Sequence, residues 1–261
     1  MLSIRHDKPN AKYVLMPRID QKSCIKSILV AGYTPIILEN ELHGDELRTN
    51  LNLMEEKINE LGVDQIACIF SVTSCFAPRS PDKIDEIAVI CKKYNIFHLI
   101  NNAYGLQSTK CTHLINTASK IGRVDVVVQS TDKNLMVPVG GAIVAAYDEE
   151  IINKIAHFYP GRASSSQSLD VLITLLSMGS LKYKSLLQER KENFVYLKNE
   201  LNELAVTMDE KVLNTPNNQI SIAFSLASFG SNSKELTEIG SFLFTRNVTG
   251  VRLVCLFYFF S

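Results

Sequence analysis

The stretch "VDVVVQSTDKNLMVPVGGAIVAAY" (Val124–Tyr147) decides the fold. Its first half, "VDVVVQS", has the unbroken apolar character of a strand buried on both faces of a parallel sheet, not the alternation of a half-exposed one. A short polar turn follows with one lysine, Lys133, between Asp132 and Asn134. Beyond the Gly140–Gly141 step, "GAIVAAY" reads as one more strand. A lysine directly after the most buried strand of a chain needs a reason.

Working outward, "YVLM" (13–16), "YTPIIL" (33–38), "QIACIFSV" (65–72) and "IFHLIN" (96–101) read as further strands. Helices are predicted between them. One runs over about 21–30. A second spans 45–61, where Leu47, Leu51, Met54, Ile58 and Leu61 fall at steps of three and four. A third covers 80–94, with Pro81 at its start and lysines in its last turn. A fourth covers 111–121. Strands alternating with helices of this size predict an α/β fold with right-handed βαβ units and a mostly parallel sheet covered on both faces. After "YPGRASSSQS" a long helix is expected from about 169 to 204, broken near Gly179. A loop at 214–218, a strand over 220–227 and a helix over 234–244 then read as part of a small α+β domain. The expected division is a large domain over 1–178, a connecting helix with an incomplete small domain over 179–254, and an apolar tail over 255–261.

Composition narrows the function classes. Lys plus Arg and Asp plus Glu both number 27 in 261 residues, so any nucleic-acid contact must be local. The six cysteines form no C-x-x-C pair and several sit in apolar runs, which predicts reduced, buried thiols in a cytoplasmic protein. The five histidines have no zinc-type spacing. The N-terminus lacks the apolar core of a secretory signal. The C-terminal "VRLVCLFYFFS" is far short of the ~20 residues that span a bilayer. No membrane association is expected, and the abrupt apolar ending reads as a chain cut short. P-loop, Rossmann, nucleophile-elbow and zinc-protease motifs do not occur.

In open α/β sheets ligands sit beyond the carboxyl ends of the strands. Four segments meet there: "TSCFAPR" (73–79), "NNAYG" (101–105), "STDKN" (130–134) and "PGRASSS" (160–166). A half-buried Lys133 would be a nucleophile toward carbonyls, whereas a solvated one would be an ordinary turn lysine. Ser130 offers a neighbouring hydroxyl. "NNAYG" has the form of an acid-x-Ala-x-Gly turn with Asn101 in the acid's place and Ala103 under a planar ring, as in pyridoxal-phosphate enzymes. Arg162, before a helix and among serines, reads either as a phosphate or carboxylate ligand or as a surface residue of a capping loop.

Taken in order, "PRIDQKSC", "GDELRT", "TSCFAPR", "AVIC", "NNAYG", "DKN", "MVPVGGAI", "YPGRAS", "SLDVLITLLS" and "LFTR" resemble the O-phosphoseryl-tRNA(Sec) selenium transferases of eukaryotes and archaea, from about Ser3 to Val254. The resemblance implies a homotetrameric, pyridoxal 5'-phosphate-dependent enzyme of fold type I. Such an enzyme makes selenocysteinyl-tRNA(Sec) from phosphoseryl-tRNA(Sec), with selenophosphate as selenium donor. By that match Lys133 binds the cofactor covalently and later acts as base, while Asn101, Ala103 and Ser130 contact the cofactor. Asn101 faces the pyridine nitrogen and, being neutral, leaves it largely unprotonated. Arg162 then binds the substrate phosphate. Lys120 stands where the family has a tRNA-contacting arginine, and Arg246 matches a second. The family's chain extends before Met1 and past Val254, so this sequence is expected to hold roughly its middle half. A non-catalytic form that binds tRNA or a partner subunit, and another fold type I lyase or desulfurase, are the alternatives.

Overall fold

The structure is a computed structural model that describes residues 1–159, 161–162, 164–229 and 233–253. The apolar tail expected over 255–261, with Cys255, and the Pro160 and Ala163 positions of "YPGRAS" lie outside the described residues. Two compact units are present: Met1–Phe194 with Asn214–Ile222, and Val195–Leu213 with the described residues from Ala223 on.

The first unit begins with α1 (Leu2–Asp7), β1 (Tyr13–Pro17), α2 (Lys22–Val30), β2 (Thr34–Leu38), a hairpin of β3 (Glu41–His43) and β4 (Glu46–Arg48), and α3 (Leu51–Leu61). β5 (Ile66–Val72), α4 (Ile84–Lys93), β6 (Phe97–Asn101), α5 (Thr109–Ile121) and β7 (Val126–Ser130) follow. Next come a single turn α6 (Asp132–Leu135), β8 (Ala142–Ala145), α7 (Glu149–His157) and α8 (Ser166–Thr207). The main sheet has the order β2-β1-β5-β6-β7-β8, parallel throughout except for β8, which pairs antiparallel with β7. The chain leaves β1 first toward β2 and later returns on the other side as β5, so the strand order reverses beside β1.

All seven residues of β5 are buried. One of its faces, with Cys68 and Phe70, joins Val14 and Met16 of β1, Cys24 and Ile28 of α2 and Ile4 of α1. On the other face Ile66 and Ile69 join Leu15, Met54 and Ile58 of α3 and Ile87 of α4. A third cluster packs Ile84 and Ala88 of α4 against Ile100 of β6 and Ile115 and Ala118 of α5. Helices therefore cover both faces, as the apolar runs require. The most buried strand is β5 and not β7, whose Val127 and Val128 are only partly buried because its outer neighbour β8 is short and exposed.

Three other expectations are corrected. The helix expected over 45–61 starts at Leu51, because Asn50 caps it (Leu53 N–H to Asn50 Oδ1, 2.8 Å) and Leu47 belongs to the β3–β4 hairpin. The helix expected from Pro81 starts at Ile84, because Asp82 is taken up by tertiary bonds. No strand forms over 220–227; an isolated bridge of Val212 with Phe224 stands there, and Asn218 already claims the amides of Ile220 and Ser221 (2.9 and 3.0 Å). The break near Gly179 is present: φ 70° and ψ 167° there interrupt α8, a left-handed conformation that glycine adopts without strain. The second unit contains the end of α8 and α9 (Ser233–Thr245).

Two buried polar groups fix the strand ends. Arg79 Nη2 donates to Asp82 Oδ1 (2.6 Å) and Arg79 Nε to the Arg18 carbonyl after β1 (2.8 Å). Asp82 also accepts from Val72 N–H (2.7 Å) and Thr49 Oγ1 (2.7 Å). His98, fully buried in β6, bonds Ser71 Oγ through Nε2 (2.8 Å) and the Arg123 carbonyl through Nδ1 (2.9 Å). Burial pushes its imidazole down to about 4, against the pull of Arg123 O and Asp125. The folded chain thus holds His98 neutral where the unfolded chain would protonate it. Stability is full above the unfolded value near 6.5 and is lost as pH falls from there toward 4, by up to about 1.4 kcal/mol per pH unit. Urea unfolding followed by far-UV circular dichroism at pH 7 and pH 4.5 should show a loss about 2–3 kcal/mol larger in the wild-type chain than in His98→Gln.

Candidate active site

The carboxyl ends of β5, β6 and β7 meet in three turns rich in hydroxyls and amides. After β6, Asn101 turns the chain by accepting from Ala103 N–H with its own Oδ1 (3.0 Å), a local side-chain mimic of a backbone turn. Its Nδ2 donates to Cys24 Sγ (3.4 Å), a weak acceptor in the first turn of α2. Asn101 also lines an apolar cavity of about 470 Å³ with Cys24, Phe70, Leu99 and Val128. Tyr104 N–H donates to Ser74 Oγ (3.0 Å), which ties this turn to the one after β5.

After β7, the turn folds as α6 and carries Lys133. Its Nζ lies 3.3 Å from Ser130 Oγ and 3.4 Å from Asp132 Oδ2, and stands 5.5 Å from the centre of the Tyr104 ring. The Lys133 side chain is 35% exposed and ion-paired with Asp132, and the turn holds it beside a carboxylate and an aromatic face. Asp132 is held below the ordinary carboxylate range, chiefly by the Ser130 hydroxyl and then by Lys133. Gln107 Nε2 caps the Lys133 carbonyl (2.7 Å). Behind the turn, Thr131 Oγ1 bonds the Gly141 carbonyl (2.8 Å), and a Cβ on Gly141 would come within 2.6 Å of that hydroxyl. The glycine permits the close approach of β8 to this turn.

The structure therefore brings Lys133, Ser130, Asn101 and Ala103 together. Arg162 is exposed in the segment between α7 and α8. Lys120 is exposed in the last turn of α5, which runs back against the strands, so it lies at the sheet edge opposite Lys133. Arg246 belongs to the second unit, where it donates to the Phe242 carbonyl (3.2 Å). Cys24, Tyr104, Gln129 and Asn134 were missed from sequence; "PRIDQKSC" and "DKN" contain two of them, but only the fold shows that they converge. Among the described residues no group of three His, Cys, Asp or Glu side chains could hold a metal ion.

What the site can do chemically follows from its donor set. A primary amine at a strand end can condense with an aldehyde. The aromatic face of Tyr104, the Asn101 amide and the Ser130 hydroxyl around it suit a planar, polar-edged ring, so the residues present fit a pyridoxal-type group.

Comparisons with known proteins place the fold and the family. A crystal structure of Oryza sativa TDC with PLP and tryptamine superposes with a TM-score of 0.71 at 14% identity, covering 94% of this chain and 55% of that one. The chain thus has the architecture of fold type I pyridoxal-phosphate enzymes. The crystal structure of an archaeal O-phosphoseryl-tRNA(Sec) selenium transferase gives a TM-score of 0.86 at 35% identity, over 96% of this chain and 56% of that one. The family profile "O-phosphoseryl-tRNA(Sec) selenium transferase, SepSecS" matches residues 1–256. The enzyme of that name from Dictyostelium discoideum is 54% identical over 94% of this chain and 54% of its own length. That from Caenorhabditis elegans is 44% identical over 97% and 52%. The chain belongs to the O-phosphoseryl-tRNA(Sec) selenium transferase family, and it spans about half the length of the curated relatives it matches.

Gly105 offers a direct check of the turn. A Cβ there would lie 1.8 Å from Asn102 Oδ1 and 2.9 Å from Thr73 Oγ1. Gly105→Ala should cost about 1–3 kcal/mol of stability through overpacking, measured by urea unfolding.

Proposed function

We propose that this chain carries the lysine-bearing core of an enzyme that converts O-phosphoseryl-tRNA(Sec) to selenocysteinyl-tRNA(Sec), with selenophosphate as selenium donor and pyridoxal 5'-phosphate as cofactor. The observation that carries the reading is the meeting of Lys133 with Asn101, Ala103 and Ser130 at the sheet's carboxyl end, in a chain of this family. Residues 1–178 are read as the cofactor-binding domain and 179–254 as the connecting helix with part of the small domain.

Pyridoxal phosphate, when bound, supplies an electron-accepting ring that stabilises negative charge at the substrate's Cα. The protein's own groups do the rest. Lys133 Nζ would hold the cofactor through its aldehyde and, as a free amine, could take the proton from the substrate's Cα. Ser130 Oγ and the Asp132 carboxylate stand within 3.5 Å of Nζ and fix its direction. Asn101 is a neutral amide and does not hold a proton on a ring nitrogen as a carboxylate would. A weaker electron sink suffices when the developing charge is relieved by departure of phosphate. Arg162 is assigned the substrate phosphate, for which a guanidinium offers two parallel donors. Lys120 and Arg246 are assigned the tRNA backbone, Lys120 as a point charge without the planar fork of arginine.

The homotetramer of the family is proposed for the complete protein. Leu172, Ile173 and Leu176 of α8, each more than half exposed, give its first half an apolar side of the kind that subunit contacts cover. A cytoplasmic location is proposed because Cys24, Cys68, Cys75, Cys91 and Cys111 are all buried free thiols. No described helix is long and apolar enough to cross a membrane.

The test is covalent. Borohydride reduction of the purified chain with pyridoxal phosphate should fix the label on Lys133, found by peptide mapping, and Lys133→Ala should remove it together with the absorbance near the visible edge. A folded chain that takes no label at Lys133 would overturn the cofactor assignment and leave a binding role without turnover.

A further inference from the structure

Beyond the turn residues that face the ligand, the carboxyl end of the sheet holds a chain of buried side-chain amides with no assigned role. Thr73 Oγ1 donates to Asn102 Oδ1 (2.5 Å), and Asn102 Nδ2 donates to Gln129 Oε1 (2.7 Å). Gln129 Nε2 then donates to the carbonyls of Ala103 (3.4 Å) and Ser130 (3.2 Å). Asn134 Nδ2 donates to the same two carbonyls (2.7 and 2.8 Å). Two carbonyls from two different turns are thus clamped between two amides. Asn102, Gln129 and Asn134 are all less than 9% exposed.

The location of the clamp gives it meaning. The ladder between β6 and β7 pairs only Leu99–Asn101 with Val126–Val128. Past it, the turn bearing Asn101 and the turn bearing Lys133 are linked by Asn102 N–H to the Val128 carbonyl (2.8 Å), by the amide chain and by the reach of Lys133 toward Tyr104. Ala103 is two residues from Asn101, and Ser130 is three from Lys133, so the clamped carbonyls lie next to the groups that matter. Asn134 Oδ1 is buried with no donor among the described residues, so the contacts this side chain makes there are those of its donor end.

We propose that Gln129 and Asn134 are positioning residues: their amides lock the Asn101 turn and the Lys133 turn into one rigid register, so that lysine and amide address the two ends of a single ring-shaped ligand. The inference rests on the reading of Lys133 and Asn101 as the two ends of a pyridoxal-phosphate site. Neutral amides suit the task because one side-chain NH2 reaches two carbonyls without the desolvation cost of a buried charge.

The test uses the full chain, Asn134→Ala, Gln129→Leu, and Ile58→Ala as a control for lost stability in the distant α3 core. Hydrogen exchange by mass spectrometry is followed without cofactor. Each clamp variant should speed exchange about tenfold in both 101–105 and 131–135, leaving β5 unchanged; Ile58→Ala should leave both turns at the wild-type rate. Trapping of pyridoxal phosphate on Lys133 by borohydride should slow about tenfold in the clamp variants and not in the control. Exchange that rises only in the mutated turn, or trapping at the wild-type rate, overturns the proposal. If wild-type Lys133 takes no label in a folded chain, the cofactor reading falls, and the exchange data still decide whether the two turns are coupled.

Discussion

The ion pair between Arg79 and Asp82 is the constraint on which the rest of the first unit depends. Both side chains are almost wholly inaccessible, at 5% and 1% for the residues. Burial alone would weaken the guanidinium's charge, but Asp82 and Cys75 outweigh it and Arg79 ends more firmly protonated. The pair also ties down the end of β1 through the Arg18 carbonyl, the end of β5 through Val72 N–H, and the approach to α3 through Thr49. Asn218 adds the returning segment by donating to the Cys75 and Arg79 carbonyls (both 2.9 Å). Removing one partner of so complete a pair typically costs about 3–5 kcal/mol, because the other charge is stranded. Here the loss would also free two strand ends and the approach to α3 at once.

That arrangement explains why the site can be built on turns. Turns are ordinarily the mobile parts of a fold. At this end of the sheet each turn is tied to its neighbour: β5 to β6 through Ser74 and Tyr104, β6 to β7 through Asn102 and Gln129. The lysine can then project at a fixed place while remaining one-third open to solvent. A group that must exchange partners needs that access.

Much of the fold was legible because its strands are short apolar runs between turn residues. β1, β2, β5, β6 and β7 could be found within a residue or two. The helix starts were less readable. Leu47 fits a helical spacing by number, yet it stands in a hairpin whose Glu46 is fully buried and bonded to Asn217 (2.9 Å). Nothing local announces a partner 171 residues away. Lys133 and Asn101 were legible as strand-end residues, and the motifs carried the family. Cys24, Tyr104, Gln129 and Asn134 were not, since their roles exist only once separate strands lie side by side. The burial order of the strands was misjudged for a similar reason: three consecutive valines read as interior, but β7 has only a four-residue exposed neighbour outside it.

That neighbour, β8, has a consequence for handling the protein. Its four residues are all exposed, its sequence is "AIVA", and it closes the described sheet without a lysine, proline or bulge to blunt its outer edge. A bare ladder edge of this kind recruits any extended strand that meets it. Its encounters with like molecules rise as the square of the protein concentration, whereas folding does not depend on concentration at all. Dilution during refolding therefore favours single molecules over edge-to-edge pairing.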